Sequence, residues 1–75
     1  MASLREQFGR KLKAIRLGRQ MSQEQFSELL DISVDFLSLI ERGINAPSFE
    51  NLEVFSRQLG VPVSELFVFS DAVSS

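Results

Sequence analysis

The chain has 75 residues, 44% of them apolar, which is enough for one globular domain and too few for two. It contains neither cysteine nor histidine, so disulfides and the commonest catalytic bases and metal ligands are excluded, and no metal or other cofactor is expected. The net charge of −2 is unevenly distributed, because residues 1–20 carry six basic side chains and one acidic one, whereas residues 21–75 carry two basic and nine acidic ones.

No stretch of the sequence has the features of a membrane span or a secretion signal. No apolar run approaches the ~20 residues that cross a bilayer. The N-terminal segment, residues 1–6, lacks the apolar core of a signal peptide. We therefore expect a cytoplasmic protein with no membrane partner.

Three segments in the first half of the chain open with a serine that can cap a helix. Ser3 is followed three residues later by Glu6, and Ser22 by Gln25, which is the spacing of a capping box. Ser33 is placed to cap a third helix. Apolar side chains then recur at helical spacing, which predicts three helices; these side chains are Leu4, Phe8, Leu12 and Ile15, then Phe26, Leu29 and Leu30, then Leu37 and Ile40. The helices are expected to end near Gly18, Asp31 and Gly43.

Two further helices are predicted after a loop at residues 45–47. Ser48 caps a fourth helix that ends at Gly60, and its apolar stripe is Phe49, Leu52, Phe55 and Leu59. Pro62 fits the first position of a short fifth helix, which is anchored by Leu66 and Phe67. We assign Phe26, Phe49, Phe55 and Phe67 to the core. The prediction is an all-α fold, a compact bundle of five short helices, with a single domain over residues 1–69 and a frayed tail over 70–75.

The second and third predicted helices, over residues 22–43, are joined by a short turn at residues 31–33. The turn is too short for antiparallel packing, so the helices must cross steeply, as in a helix-turn-helix unit. The third helix is then left projecting from the surface. This arrangement also occurs in other small helical bundles.

The residues of this unit resemble the Xre/Cro-like, or lambda-repressor-like, helix-turn-helix family of phage and bacterial repressors. The resemblance is carried by Ser22-Gln23-Glu24-Gln25-Phe26-Ser27, by Ile32-Ser33 and by Leu37-Ser38-Leu39-Ile40-Glu41-Arg42-Gly43. Residues 43–48 and 59–67 are similar to the family's fourth and fifth helices. The resemblance covers residues 8–67 and implies a transcription regulator that binds double-stranded DNA. The chain departs from the family at Asp31, where glycine is common; aspartate tolerates the left-handed conformation better than most residues.

The resemblance also implies roles for individual residues. The third helix, Val34 to Arg42, would lie in the major groove, and the candidates for reading bases are Val34, Asp35, Ser38 and Leu39. The candidates for phosphate contacts are Gln23, Ser22, Ser33, Arg42, Asn45, Arg10 and Lys13. Arg16 and Glu41 resemble the family's buried ion pair, which would tie the first helix to the end of the third.

Each of these roles has a plainer alternative. Ser22 and Ser33 serve as helix caps in either case, and Gln23 could be an exposed first-turn residue. Asn45 could simply form the turn before the proline. The basic N-terminal segment could be a solvated helix face, and Glu41 and Arg42 could be ordinary surface charges.

The predicted reading face is unusual for this family, because Val34, Asp35 and Leu39 are apolar or acidic where arginine, glutamine, threonine or serine are common. Valine can meet a thymine methyl, and aspartate can accept from cytosine N4 but repels phosphates. We therefore expect modest affinity per domain, strong salt dependence and a need for two copies on a site. The family resemblance implies that a homodimer reads a palindromic site. The apolar residues near the C-terminus exceed what one short helix can bury, so the candidates for the dimer surface are Val61, Val63, Phe67, Val68 and Phe69.

Two other functional classes are alternatives to DNA binding. A protein-interaction module with the same fold, such as a repressor antagonist with a regulatory protein partner, is favoured by the acidic residues 21–75. An enzyme is disfavoured, because the sequence has no glycine-rich phosphate loop and no pair of carboxylates that so small a core could enclose.

Overall fold

Four α-helices and a C-terminal 3-10 helix follow one another along the chain. The computed structural model describes residues 2–69, and the helices are α1 (Leu4–Gly18), α2 (Gln23–Leu30), α3 (Val34–Glu41), α4 (Phe49–Leu59) and the 3-10 helix (Val63–Phe67). No strand occurs between residues 2 and 69, and the predicted all-α bundle of five short helices is confirmed. The predicted frayed tail, residues 70–75, lies outside the described residues.

The predicted caps define the start of each α-helix. Ser3, Ser22 and Ser48 each form a capping box, in which the serine oxygen accepts from the amide three residues on and that residue's side chain accepts from the serine amide. Ser33 Oγ accepts from the Phe36 amide at 3.0 Å. In the first box, the hydrogen bond from the Ser3 backbone amide lowers the pKa of Glu6 below its ordinary value.

The fifth helix differs from the prediction in type and in its first residue. Pro62 precedes the helix in an extended conformation, with φ −66° and ψ 153°, instead of occupying its first position. The Glu65 amide donates to the Pro62 carbonyl at 3.0 Å, a bond between residues three apart that is characteristic of a 3-10 helix. The 3-10 geometry is common in short helical segments such as this one of five residues.

The core consists of ten apolar side chains contributed by all five helices: Phe8, Leu12, Phe26, Leu30, Leu37, Ile40, Leu52, Phe55, Leu59 and Leu66. α1 packs closely on α3 at Gly9, where a β-carbon would overlap the Ile40 carbonyl oxygen and lie 2.9 Å from that of Glu41. The backbone of α1 therefore touches the end of α3 at Gly9, where the absence of a side chain permits the contact.

Two of the four phenylalanines assigned to the core are exposed, so that prediction was wrong for them. Phe49 is 84% exposed and Phe67 is 37% exposed, and Leu4 on the stripe of α1 is 60% exposed. Leu4 and Phe49 are the first residues of α1 and α4, so they lie where each helix emerges from the bundle. Periodicity identifies the apolar side of a helix but not how far the neighbouring helices extend along it.

The turn between α2 and α3 depends on Asp31, which has φ 62° and ψ 42° in the left-handed region. We expect the free energy of unfolding to rank Asp31→Gly above wild type and wild type above Asp31→Ala, with steps of about 1 kcal/mol or less. Glycine has no β-carbon to strain here, and it removes a negative charge from the C-terminal end of a helix dipole. Urea denaturation of the three proteins would measure this ranking, and an alanine variant as stable as the glycine variant would contradict it.

Candidate nucleic-acid interface

Helix α3 has one face in the core and one face in solvent. Leu37 and Ile40 are completely buried, as predicted from their spacing. On the other side, Val34 and Asp35 are exposed at the first turn of the helix, and Ser38 and Leu39 are half-buried. The four residues predicted to read bases therefore keep their side chains wholly or partly accessible.

The first turns of α2 and α3 both begin at an exposed serine. The Ser22 and Ser33 oxygens accept from the amides of the third helical residue, Gln25 at 3.1 Å and Phe36 at 3.0 Å. The first two amides of each helix have no partner within the helix and point outward along its axis. Such amides, together with the positive end of the helix dipole, favour an anion such as a phosphate.

A buried network joins α1, α2 and α3. Arg16 Nε donates to Glu41 Oε2 at 2.8 Å, and Arg16 Nη2 donates to Glu41 Oε1 at 3.1 Å. Arg16 Nη1 donates to the Met21 carbonyl at 3.0 Å, just before the cap of α2. Both charged residues are 8% exposed. The pair suggested by the family resemblance is thus a bidentate contact that fixes the end of α3 against α1.

Gln23 belongs to this network, which the sequence did not indicate. Its Nε2 donates to Glu41 Oε1 at 3.0 Å, across 18 residues of sequence. An amide nitrogen carries two hydrogens, so this bond orients the side chain at the start of α2 and leaves its second hydrogen directed away from Glu41. Gln23 is half-buried, so its side chain stays partly accessible to solvent.

The basic residues predicted to contact phosphates lie along the edge where α1 meets the end of α3. Glu6, Arg10 and Lys13 share one stripe of α1 at spacings of four and three. This stripe borders the loop after α3, because a β-carbon on Gly43 would lie 2.7 Å from Glu6 Cγ. Arg10 and Lys13 are exposed, and so is Arg42, which caps the C-terminus of α3. Three cations therefore border the end of the candidate recognition helix.

Asn45 and the predicted dimer residues lie in apolar surroundings. Asn45 is half-buried and lines a pocket together with Leu4 and Phe49. The ring of Phe67 packs against Phe8, with ring centroids 5.1 Å apart, and Phe69 packs edge-on against Phe67 at 6.2 Å. Two other predicted dimer residues are accessible to solvent: Val63 is 36% exposed and Val68 is 55% exposed.

Residues 12–66, more than half of the chain, match a family of proteins described as Helix-turn-helix. The chain belongs to this helix-turn-helix family. The chain is 40% identical to the control protein C.MunI from Mycoplasma sp over 68 residues, which cover 89% of this chain and 92% of that protein. It is 38% identical to the control protein C.BamHI from Bacillus amyloliquefaciens over 69 residues, which cover 91% of this chain and 85% of that protein.

A solved structure shares the fold of this helix-turn-helix protein. The restriction-modification controller protein C.AhdI from Aeromonas hydrophila superposes with a TM-score of 0.76 and 26% identity, over 83% of this chain and 94% of that one. The family is one of transcription regulators, so the resemblance drawn from the sequence and the regulatory role are confirmed. Between residues 2 and 69, no helix combines the length and the apolar character that a membrane crossing needs.

Proposed function

We propose that this helix-turn-helix regulator acts in the cytoplasm and binds double-stranded DNA as a homodimer, through a DNA-binding domain that spans residues 1–69. Helix α3 of each copy lies in the major groove over one half of a palindromic site. The observation that carries this proposal is the solvent-facing side of α3, which starts at an exposed helix N-terminus. Exposed cations lie on α1 (Arg10 and Lys13) and at the C-terminus of α3 (Arg42). The family membership and the controller proteins among its relatives support the same function.

The proposed contacts with DNA are of two kinds: contacts with phosphates position the protein, and contacts with base edges recognise the sequence. Amides at the starts of α2 and α3, the second hydrogen of Gln23 and the exposed cations hold phosphates. Asn45 contributes to this backbone contact from the loop after α3. At the bases, Val34 packs against a thymine methyl and Asp35 accepts from cytosine N4. Ser38 and Leu39 complete the reading face one turn further along α3.

The homodimer uses apolar residues near the C-terminus of the described chain, which are the exposed Val63, Phe67 and Val68 and the partly buried Phe69. Two copies related by a two-fold axis present two α3 helices to the same side of the DNA. The two half-sites then lie about one helical turn apart, ~34–36 Å.

Selection of bound sequences from a random double-stranded DNA pool tests this function directly. The expected result is a palindromic consensus whose two halves are centred about one helical turn apart. A matched selection with the Val34→Gln, Asp35→Gln variant should change the consensus within each half while keeping the spacing. Absence of enrichment with either protein at low ionic strength would contradict the proposal.

The salt dependence of DNA binding distinguishes a lysine that contacts a phosphate from a neighbouring lysine that forms an ion pair within the protein. Lys13→Gln should reduce the slope of log K against log salt concentration by about 0.9, because one counterion fewer is released. The matched control is Lys11→Gln, since Lys11 Nζ pairs with Glu65 Oε2 at 3.3 Å in the protein. Fluorescence anisotropy with labelled operator DNA would measure both slopes, and equal slopes for the two variants would contradict the role of Lys13.

A protein-interaction module that does not bind DNA is the second candidate function. It is favoured by one observation, the exposed pair Val34 and Asp35 on α3, because an apolar and an acidic side chain suit a protein partner as well as a base pair. Under this alternative, mixed genomic DNA is not bound at low ionic strength, and both lysine variants behave as wild type.

A further inference from the structure

The loop that follows α3, residues 43–48, has no charged side chain of its own. It contains no lysine, arginine, aspartate or glutamate, and Asn45 is the loop residue proposed above to contact the DNA backbone. Proteins bind the phosphate backbone mainly through lysine and arginine, which neutralise phosphates and release counterions. A cation for a backbone contact at this loop therefore has to come from another element of the fold.

Arg5, in the first turn of α1, lies beside this loop. Its Nη1 donates to the Ile44 carbonyl at 3.4 Å, across 39 residues of sequence. Arg5 also lines the same pocket as Asn45 and Ala46 of the loop. Its side chain is exposed. The positive charge of α1 is thus placed next to the uncharged loop and remains open to solvent.

Folding gains little from an arginine at this position. A positive charge in the first turn of a helix interacts unfavourably with the helix dipole, which favours acidic residues there. The bond to Ile44 is exposed and longer than an ordinary N–H···O hydrogen bond. No carboxylate between residues 2 and 69 forms an ion pair with Arg5. A guanidinium has five N–H donors, so the bond to Ile44 leaves most of them for another acceptor.

The acidic residue next to Arg5 is held by the helix cap. Glu6 Oε1 accepts from the Ser3 amide at 2.8 Å, as part of the capping box at the start of α1. The negative charge of Glu6 therefore compensates the N-terminus of α1, where the helix dipole is positive. Arg5 instead contacts the loop after α3, so the two neighbouring charges serve different segments.

We infer that Arg5 binds a phosphate of the DNA backbone beside the C-terminal end of α3 and supplies the cation that the loop lacks. This inference rests on the DNA-binding function proposed above and adds a contact from α1 to it. The planar guanidinium can donate two parallel hydrogen bonds to one phosphate, which fixes the geometry of the contact. The loop directly follows α3, so this phosphate borders the major groove at the end of the recognition helix.

The salt dependence of DNA binding tests the charge of Arg5. Arg5→Gln should reduce the slope of log K against log salt concentration by about 0.9 for each bound copy, and affinity at ~0.15 M salt about fivefold per copy. Arg5→Lys keeps the charge and should restore the slope. The melting temperature of Arg5→Gln should equal or exceed that of the wild type, because a charge unfavourable to the helix dipole is removed. If Arg5 only held the loop in place, Arg5→Gln would weaken binding without changing the slope, which would overturn the inference.

Arg19→Gln is the matched control. Arg19 is the C-cap residue of α1, is exposed, and also donates to a backbone carbonyl, that of Leu59 at the end of α4, at 2.7 Å. It thus has the same chemistry at the opposite end of the same helix, away from the loop after α3. The slope for Arg19→Gln should equal that of the wild type. Equal slopes for Arg5→Gln and Arg19→Gln would overturn the inference.

Neutral phosphate analogues locate the contact on the DNA. In the selected consensus duplex, each phosphate is replaced in turn by an uncharged methylphosphonate, and binding is measured by fluorescence anisotropy. Wild-type protein should lose affinity at one position in each half-site where Arg5→Gln shows no further loss. The same profile of losses for both proteins would contradict a contact between Arg5 and a phosphate.

Failure of this inference is distinguishable from failure of the proposed function. If wild-type protein binds the consensus duplex but Arg5→Gln keeps the wild-type slope, the inference alone fails and DNA binding stands. If wild-type protein binds no DNA at low ionic strength, the proposed function fails and the role of Arg5 fails with it.

Discussion

Replacing Arg16 by methionine should lower the free energy of unfolding by about 3–5 kcal/mol, the usual cost of leaving a buried charge without its partner. The Glu41 side chain is 3% exposed and accepts two hydrogen bonds from the guanidinium. Methionine keeps much of the side-chain volume but none of the donors, and the Met21 carbonyl loses its hydrogen bond as well. Small domains are stable by only about 5–15 kcal/mol, so urea denaturation should show a large part of the stability lost.

Two controls identify the cause of this loss. The double variant Arg16→Met, Glu41→Leu removes both charges and should recover most of the stability, because an apolar pair can replace a buried ion pair at little cost. Lys11→Met breaks the more exposed pair with Glu65 and should change the free energy of unfolding by about 1 kcal/mol or less. A double variant no more stable than Arg16→Met would show that the loss did not arise from the uncompensated carboxylate.

Replacing Gly9 by alanine should destabilise the fold by about 3 kcal/mol, in spite of the better helix propensity of alanine. The added β-carbon would overlap the Ile40 carbonyl oxygen, which is backbone and cannot rotate away as a flexible side chain can. α1 must therefore move off α3, and the contacts of Arg16 with Glu41 must lengthen with it. Thermal denaturation followed by circular dichroism would measure the effect.

Gly18 is the matched control for this substitution, since it lies on the same helix and a β-carbon there meets no atom within 4 Å. Gly18→Ala should raise the free energy of unfolding by up to about 1 kcal/mol, through better helix propensity and a less flexible unfolded chain. Opposite signs for the two variants are the expected result. Equal effects would mean that the close approach of α1 to α3 carries no energetic cost.

Local features of this fold could be predicted from the sequence, and contacts between distant segments could not. A capping box involves only four consecutive residues. Ser3 with Glu6 and Ser22 with Gln25 are therefore sufficient to predict where α1 and α2 begin. The same holds for the left-handed end of α2 at Asp31. Burial depends on which neighbouring element covers a side chain. Phe49, on the apolar stripe of the fourth helix, and Phe67, an anchor of the fifth, were therefore assigned to the core although both are exposed.

The candidate site shows the same division. The spacing of Leu37 and Ile40 identified the buried side of α3 and therefore its outward side. The partnership of Arg16 with Glu41 came from family resemblance, because no periodicity relates positions 25 residues apart. The bond from Gln23 to the same carboxylate was missed for that reason. The contact at Gly9 does have an indication in the sequence. A glycine inside a helix lowers its stability by about 1 kcal/mol relative to alanine, so a glycine within a predicted helix suggests a close packing contact.

The two-sided character of α3 has a consequence for how such regulators diversify. Val34 and Asp35 are exposed at its first turn, while Leu37, Ile40 and Glu41 secure the helix from the opposite side. Substitutions at the outward positions are therefore nearly neutral for folding and fall directly on the proposed DNA contact. A duplicated gene can accumulate changes there and acquire a new operator without passing through an unstable intermediate. One scaffold can thus give rise to a set of regulators that do not interfere with one another in the same cell.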